Sequence, residues 1–444
     1  MKLFRSPILF VGILILAISC NKEESKLDNQ LNEALMEASQ GLGNSYYKMP
    51  SSSNYSSIPQ DPNNPLSEEK IELGKLLFHE TAFATENVFP ITGGEYSCAS
   101  CHHAAAGFQS GLAQGLGEGG EGFGMLGEGR TRNLLCDPSL CDVQPLRSPT
   151  VMNTAYQSLM LWSGTFGATG KNIGTNDSWT PDTPKATNNL GFKGVETQAI
   201  AGLGVHRLGF DEQAVRDNGY KRLWDQAFGN IPVDERYTKE SAGLAIAAYE
   251  RTILSSEAPF QKYLKGEYNA LTDEQKEGAI LFFGKAKCAS CHNGPALNDE
   301  DFHALGMGEF DIQAVTHYNE DDPAQMGRFD FTKEEADKYR FKTPQLYNLA
   351  DVGFFGHGAS FQTIREVVDY KNKALHQNAK VPASNLSSQF TPLGLSDEEV
   401  DKITEFLRGG LYDPNLQRYV PTSLPSGNCF PNNDGPSKLD LGCQ

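Results

Sequence analysis

Cys98-Ala-Ser-Cys101-His102 and Cys288-Ala-Ser-Cys291-His292 decide the reading of this chain. Each is C-x-x-C-H, the attachment pattern for c-type haem. Two thiols spaced by two residues reach the vinyl groups of one porphyrin. The adjacent histidine then sits beneath the iron as its proximal ligand. Cys98, Cys101 and His102 would hold one haem, and Cys288, Cys291 and His292 a second. The competing readings are a redox dithiol and a zinc half-site. Zinc would need the two motifs to meet in space to supply four ligands.

The motifs stand 190 positions apart in a chain of 444 residues, a length that suits two or three domains. One haem domain per motif is the expected organisation. Apolar residues make up 39% of the chain, so burial of real cores is feasible. The net charge is -18, and becomes -20 if Lys2 and Arg5 leave with residues 1–19. Such acidity argues against nucleic acid as a partner. It would suit a basic electron donor such as a small cytochrome c.

Residues 1–19 read as an export signal. Lys2 and Arg5 precede an apolar run from Pro7 to Ile18 that is short for a membrane span. The run ends Leu16-Ala-Ile-Ser19-Cys20, which resembles a lipoprotein processing site with Cys20 as the lipidated, membrane-bound first residue. The expected location is that of an exported lipoprotein, periplasmic or on the outer membrane or surface of a Gram-negative cell. Of nine cysteines, four serve haem and Cys20 the lipid. Cys136, Cys141, Cys429 and Cys443 remain. An oxidising compartment predicts local disulfides Cys136–Cys141 and Cys429–Cys443.

The pattern predicts a mainly α fold: two cytochrome c-type haem domains in tandem with long irregular loops. Residues 20–63, rich in Ser, Asn, Gln and Pro, read as a flexible tether. Residues 64–260 form the expected N-terminal haem domain, 261–415 the C-terminal one, and 416–444 an irregular disulfide-stapled tail. Ser67 is the expected cap of a helix with Ile71, Leu73, Leu76 and Leu77 on its apolar face. Residues 107–129 carry many glycines but no phosphate-loop pattern, and predict a loop folded tightly near the first haem. One long helix is expected over 238–264, another after Thr272, and a capped one from Ser396 to Leu407.

Further stretches carry a resemblance. They are Leu73-Gly-Lys-Leu-Leu-Phe78, Ser148-Pro149-Thr150-Val-Met-Asn153, Leu161-Trp162-Ser-Gly164, Glu196-Thr-Gln198-Ala199, Gly356-His357-Gly-Ala-Ser-Phe361 and Ile364-Arg-Glu-Val-Val368. Over about residues 62–412 the chain resembles the bacterial di-haem cytochrome c peroxidases. Their relatives include the di-haem enzyme that matures the tryptophan-derived cofactor of methylamine dehydrogenase. The resemblance implies hydrogen peroxide as substrate at the N-terminal haem, with electrons relayed by the C-terminal haem from a small redox protein. It implies that Trp162 lies between the haems, that Gln198 belongs to the peroxide site, and that His357 stands near the second haem. A homodimer is the family's common assembly.

The departures concern the far face of each iron. The family's distal glutamate falls about ten residues after the position of Gln198, yet the run to Gly209 holds no carboxylate. His206 and Arg207 take its place. The expectation is His206 as acid/base and Arg207 as charge stabiliser, roles that suit a group titrating near neutrality and a permanent cation. Residues 104–150 contain no histidine, so no histidine latch is expected on the first iron, and Met125 reads as packing. At the second haem the family's Met or Tyr position falls on Lys371, with Tyr370 beside it; Met307 and Met326 are the alternatives. Arg147 stands near a family asparagine that binds calcium between domains, which argues against that ion. Two rival readings are a di-haem oxidase of a protein or organic substrate, and a non-enzymatic electron-transfer lipoprotein.

Overall fold

The Ser67 side chain accepts the Lys70 amide and starts helix Glu68–His79, whose Ile71, Leu73, Leu76 and Leu77 are buried as the periodicity predicts. The computed structural model describes residues 25–310 and 321–443. The expected signal peptide and Cys20 lie outside the described residues. Among the described residues, no helix is long and apolar enough to cross a membrane.

The fold is mainly helical. Its only sheet among the described residues is two short antiparallel pairs, Gly120–Glu121 with Thr131–Arg132 and Phe302–His303 with Phe341–Lys342. Around the first motif, helix Glu68–His79 packs on helix Lys239–Thr252, which also packs on helix Gly194–Val205. Contact is close because position 74 is glycine: a Cβ there would lie 1.9 Å from the Ala245 carbonyl oxygen. The third helix is locked by a buried ion pair. Arg251 Nε and Nη2 donate to Glu196 at 2.8 and 2.6 Å, and neither side chain is exposed. The family-like Glu196 is therefore a structural residue.

Around the second motif, helix Asp273–Phe283, capped by Thr272, packs on helix Asp397–Glu405, capped by Ser396. One apolar core runs through both halves, from Leu31 to Leu424.

Three sequence expectations are corrected. Residues 25–63 are not a flexible tether. Ser25 and Asp28 form a capping box for helix Lys26–Ala38, which buries Leu31 and Leu35 against helix Asp273–Phe283. Its Asp28 reaches Lys276 at 2.6 Å, both side chains being buried. The polar composition hid this stripe because only two large apolar residues per helix face inward. The long helix over 238–264 is two: Lys239–Thr252 and Pro259–Leu264, separated where Pro259 opens the second.

The third correction concerns the cysteines. Cys429–Cys443 is a disulfide as expected, but Cys136 and Cys141 are free, buried thiols. They pack with Leu116, and the Cys141 thiol turns to the Asp137 carbonyl instead, at 3.4 Å. The stapled tail is less irregular than its composition, for it contains helix Gly435–Leu441. It returns to the first motif, where the Ser97 hydroxyl donates to the Pro431 carbonyl at 2.9 Å.

Candidate active site

The first motif begins as a 3-10 turn, Cys98–Ser100, which places the two cysteines and His102 on one short bend. Burial pushes His102 down to about 4, so its ring is neutral, as an iron ligand must be. The carbonyls of Phe108 and Pro149 lie nearest that ring, although neither closes a hydrogen bond on the buried Nδ1. His103 faces elsewhere, with Nε2 on the Leu126 carbonyl at 2.7 Å. It pins the glycine-rich loop and is no ligand. Met125 on that loop is 82% exposed, so it neither packs nor ligates.

His206 caps the end of helix Gly194–Val205. Its charge is felt at His102, which places it at the first motif. Its Nδ1 is 2.7 Å from Asp142 Oδ2, a buried carboxylate. Burial alone would lower the His206 pKa, but the charge and hydrogen bond of Asp142 outweigh it and raise the pKa above its usual value. Asp142 is itself strapped to the glycine-rich loop: its amide donates to Glu118 O and its carbonyl accepts from Gly117, each at 2.9 Å. Sequence reasoning found no carboxylate here because it searched only the helix that carries His206. Asp142 arrives from a loop 64 residues earlier, with no local pattern to announce it.

Gln198 and His206 share one helix face with Gly202 between them. A Cβ on Gly202 would come within 3.4 Å of Gln198 Nε2 and 3.8 Å of the His206 ring. Gln198 Oε1 is buried without a partner among the described residues. Arg207 departs from expectation. Its backbone is left-handed, φ 59°, a conformation that costs a non-glycine residue energy. Its guanidinium pairs with the fully buried Glu118, which also accepts from Phe89 N at 2.8 Å and Thr92 Oγ1 at 3.0 Å. Arg207 is thus neutralised in a loop anchor and is not a free charge stabiliser.

The second motif repeats the bend as Cys288–Ser290. His292 Nδ1 donates to the Leu297 carbonyl at 3.0 Å, which leaves Nε2 as the ligand atom. Burial holds this ring down to about 4 as well. A cavity of about 290 Å3 opens beside it, lined by Cys288, His292, Lys371, Trp162, Arg147 and His357 among others. Burial pushes the Lys371 amine down to about 8, and its charge is felt at Cys288 and His292. Tyr370 is corrected. Its hydroxyl donates to the Leu305 carbonyl at 2.5 Å, burial pushes it up to about 12, and it does not line the cavity. Adjacent helix residues point in different directions, so Lys371 and Tyr370 cannot both face the motif. Met307 lines the cavity and Met326 does not.

Trp162 lines the second motif's cavity together with Pro149, whose carbonyl neighbours His102. His357 is buried as a stacked ring, 3.5 Å from the Phe341 centroid and 6.3 Å from that of Trp162. Its Nε2 lies 3.3 Å from Glu309. Sequence reasoning placed His357 here but missed Phe341 and Glu309.

The profile of the di-haem cytochrome c peroxidase family matches residues 68–269. The methylamine utilization protein MauG of Methylorubrum extorquens is 28% identical over 353 residues, 79% of this chain and 80% of that protein. Over that stretch the chain is similar to the di-haem cytochrome c peroxidases. The cytochrome-c peroxidase IdrP1 of a Pseudomonas species is 29% identical over 376 residues, 79% of this chain and 83% of that one. The chain is accordingly an oxidoreductase of the peroxidase class. Its fold is that of solved di-haem proteins. A MauG-like protein associated with microbial copper homeostasis superposes with a TM-score of 0.55 at 22% identity, over 83% of this chain and 96% of that one. The di-haem peroxidase BthA of Burkholderia thailandensis gives 0.52 at 18% identity, over 86% and 93%.

The family implies c-type haems, and the residues fit them. Each motif pairs a neutral, half-buried histidine with two adjacent thiols, and the second opens on an apolar-walled cavity.

Proposed function

We propose that this chain reduces hydrogen peroxide to water at the first motif, with electrons entering at the second. The observation that carries this reading is the His206–Asp142 pair beside His102. Haem held by Cys98, Cys101 and His102 supplies the redox chemistry. The protein's part is proton transfer and positioning. With Nδ1 committed to Asp142, His206 keeps Nε2 free to take a proton from one peroxide oxygen and return it to the other. Asp142 fixes the ring and favours its protonated form, and Gln198 offers an amide on the same helix face. Two electrons and two protons complete the reaction to two waters.

At the second motif, Cys288, Cys291 and His292 would hold the other haem, and Lys371, which lines the same cavity, would be a further ligand to its iron. Trp162 lies on the path between the haems. Residues 64–260 form the peroxidatic part and 261–415 the relay. The acidic chain favours a small basic cytochrome c as donor. We further place the protein outside the cytoplasm, held to a membrane by lipid on Cys20.

The test is stoichiometric: peroxide should oxidise two reduced cytochromes per molecule consumed. No peroxide-dependent oxidation would refute the reading. A second reading, oxidation of a protein or organic substrate, is supported by the MauG-named relatives. Slow turnover with cytochrome but rapid reaction with peroxide alone would favour it.

A further inference from the structure

Arg251 and Arg147 are both buried guanidiniums, but only one has a counter-ion. The Nε and Nη2 edge of Arg251 grips the Glu196 carboxylate. In Arg147 the same edge has no partner: Nε and Nη2 are buried and unbonded among the described residues. Its other arm, Nη1, donates to Gln109 Oε1 at 2.6 Å. Arg147 is 5% exposed and lines the cavity beside the second motif. That edge is the one that receives a carboxylate through two parallel hydrogen bonds.

A second cation shares this design. Lys342 is buried, lines the same cavity, and its ammonium donates to Gln157 Oε1 at 2.6 Å. Each cation thus hydrogen-bonds a neutral glutamine, and only the more distant charges of Glu300 and Asp299 reach Lys342. A buried cation without an ion pair is unfavourable, so two of them lining one cavity favour an anionic ligand. Both are tied to Trp162. The Trp162 indole donates to the Arg147 carbonyl at 2.8 Å, and the Trp162 carbonyl accepts the Lys342 amide at 2.7 Å.

We propose that Arg147 and Lys342 form a clamp for the two carboxylates of the porphyrin on Cys288 and Cys291, setting that edge of the ring against Trp162. The proposal rests on haem occupying the second motif. Arg147 is a cofactor-positioning residue, its carboxylate-binding edge unpartnered at a cavity the residue lines. Lys342 neutralises the second carboxylate. The two positive charges also favour the ferrous state of that haem, because they offset the added electron.

The test compares wild type with Arg147→Gln, Arg147→Lys and Lys342→Gln in the full-length, haem-loaded protein. The readouts are haem content, the porphyrin propionate bending mode in resonance Raman, and the midpoint potential of the C-terminal haem. Arg147→Gln should shift the propionate mode and move the ferrous–ferric equilibrium at least tenfold towards ferric, about 59 mV for a one-electron couple. Lys342→Gln should move it the same way, and Arg147→Lys less than threefold. Two haems per chain with an unchanged Raman mode and an equilibrium within twofold of wild type in both glutamine variants would overturn the clamp alone. A wild-type protein lacking haem on Cys288 and Cys291 would overturn the clamp together with the two-haem reading.

Discussion

Asp142 Oδ2 lies 2.7 Å from His206 Nδ1, joining a loop of the first half to the end of the helix that carries Gln198. The pair raises the pKa of His206 despite the partial burial that opposes it. His206 accepts a proton only when neutral, so peroxide turnover should rise as pH climbs through that raised pKa. Asp142→Asn removes the charge, and the acid limb should move to lower pH. Loss of ring orientation should also cut plateau kcat by about 10- to 100-fold. A pH–rate profile of both proteins checks the direction. The same shift stabilises the fold at acid pH, and this contribution is lost as pH rises through the folded pKa of His206.

Glu196 and Arg251 should matter for stability. Glu196→Gln leaves a buried guanidinium without its counter-ion, which costs about 3–5 kcal/mol. Urea unfolding should show a lower midpoint with an unchanged slope.

Lys371 should control the second haem's spectrum and Tyr370 should not. Lys371→Ala should convert that haem from six-coordinate to five-coordinate or water-ligated in absorption and EPR, while Tyr370→Phe leaves both spectra unchanged. Because burial lowers the amine pKa to about 8, ligation competes with protonation. Wild type should lose the lysine-ligated signature as pH falls below a midpoint no higher than about 8. A methionine charge-transfer band in the oxidised protein would instead implicate Met307.

The Cys429–Cys443 bridge should hold the tail over the first motif. Closing a loop of this length stabilises by about 3 kcal/mol in the chain-entropy account. The Cys429→Ser/Cys443→Ser variant should lose about that much by denaturant titration. It should also gain hydrogen exchange at residues 97–100, which bond the tail.

The two C-x-x-C-H bends, the capped helices and the scarcity of strands were legible in the sequence because they rest on local patterns: adjacent Cys and His, Ser67, Thr272 and Ser396 caps, and helical periodicity. What was not legible depends on contacts distant in sequence. Asp142 reaches His206, and Glu118 claims Arg207, only after the glycine-rich loop folds back. Lys371 and Tyr370 could not be separated by counting, since helix rotation decides which one faces the cavity. Helix Lys26–Ala38 was read as a tether because its partner, Lys276, lies nearly 250 residues away. The Cys136–Cys141 bridge followed from compartment and parity, which say nothing of where the Cys141 thiol turns.

The central claim is that His206 moves the proton during peroxide reduction. The most direct measurement is the second-order rate of peroxide reaction with the haem-loaded His206→Ala protein, followed by stopped-flow absorption against wild type. A positioned acid/base contributes roughly 100- to 10,000-fold, so a loss in that range with native resting spectra is predicted. A rate within threefold of wild type would contradict the account.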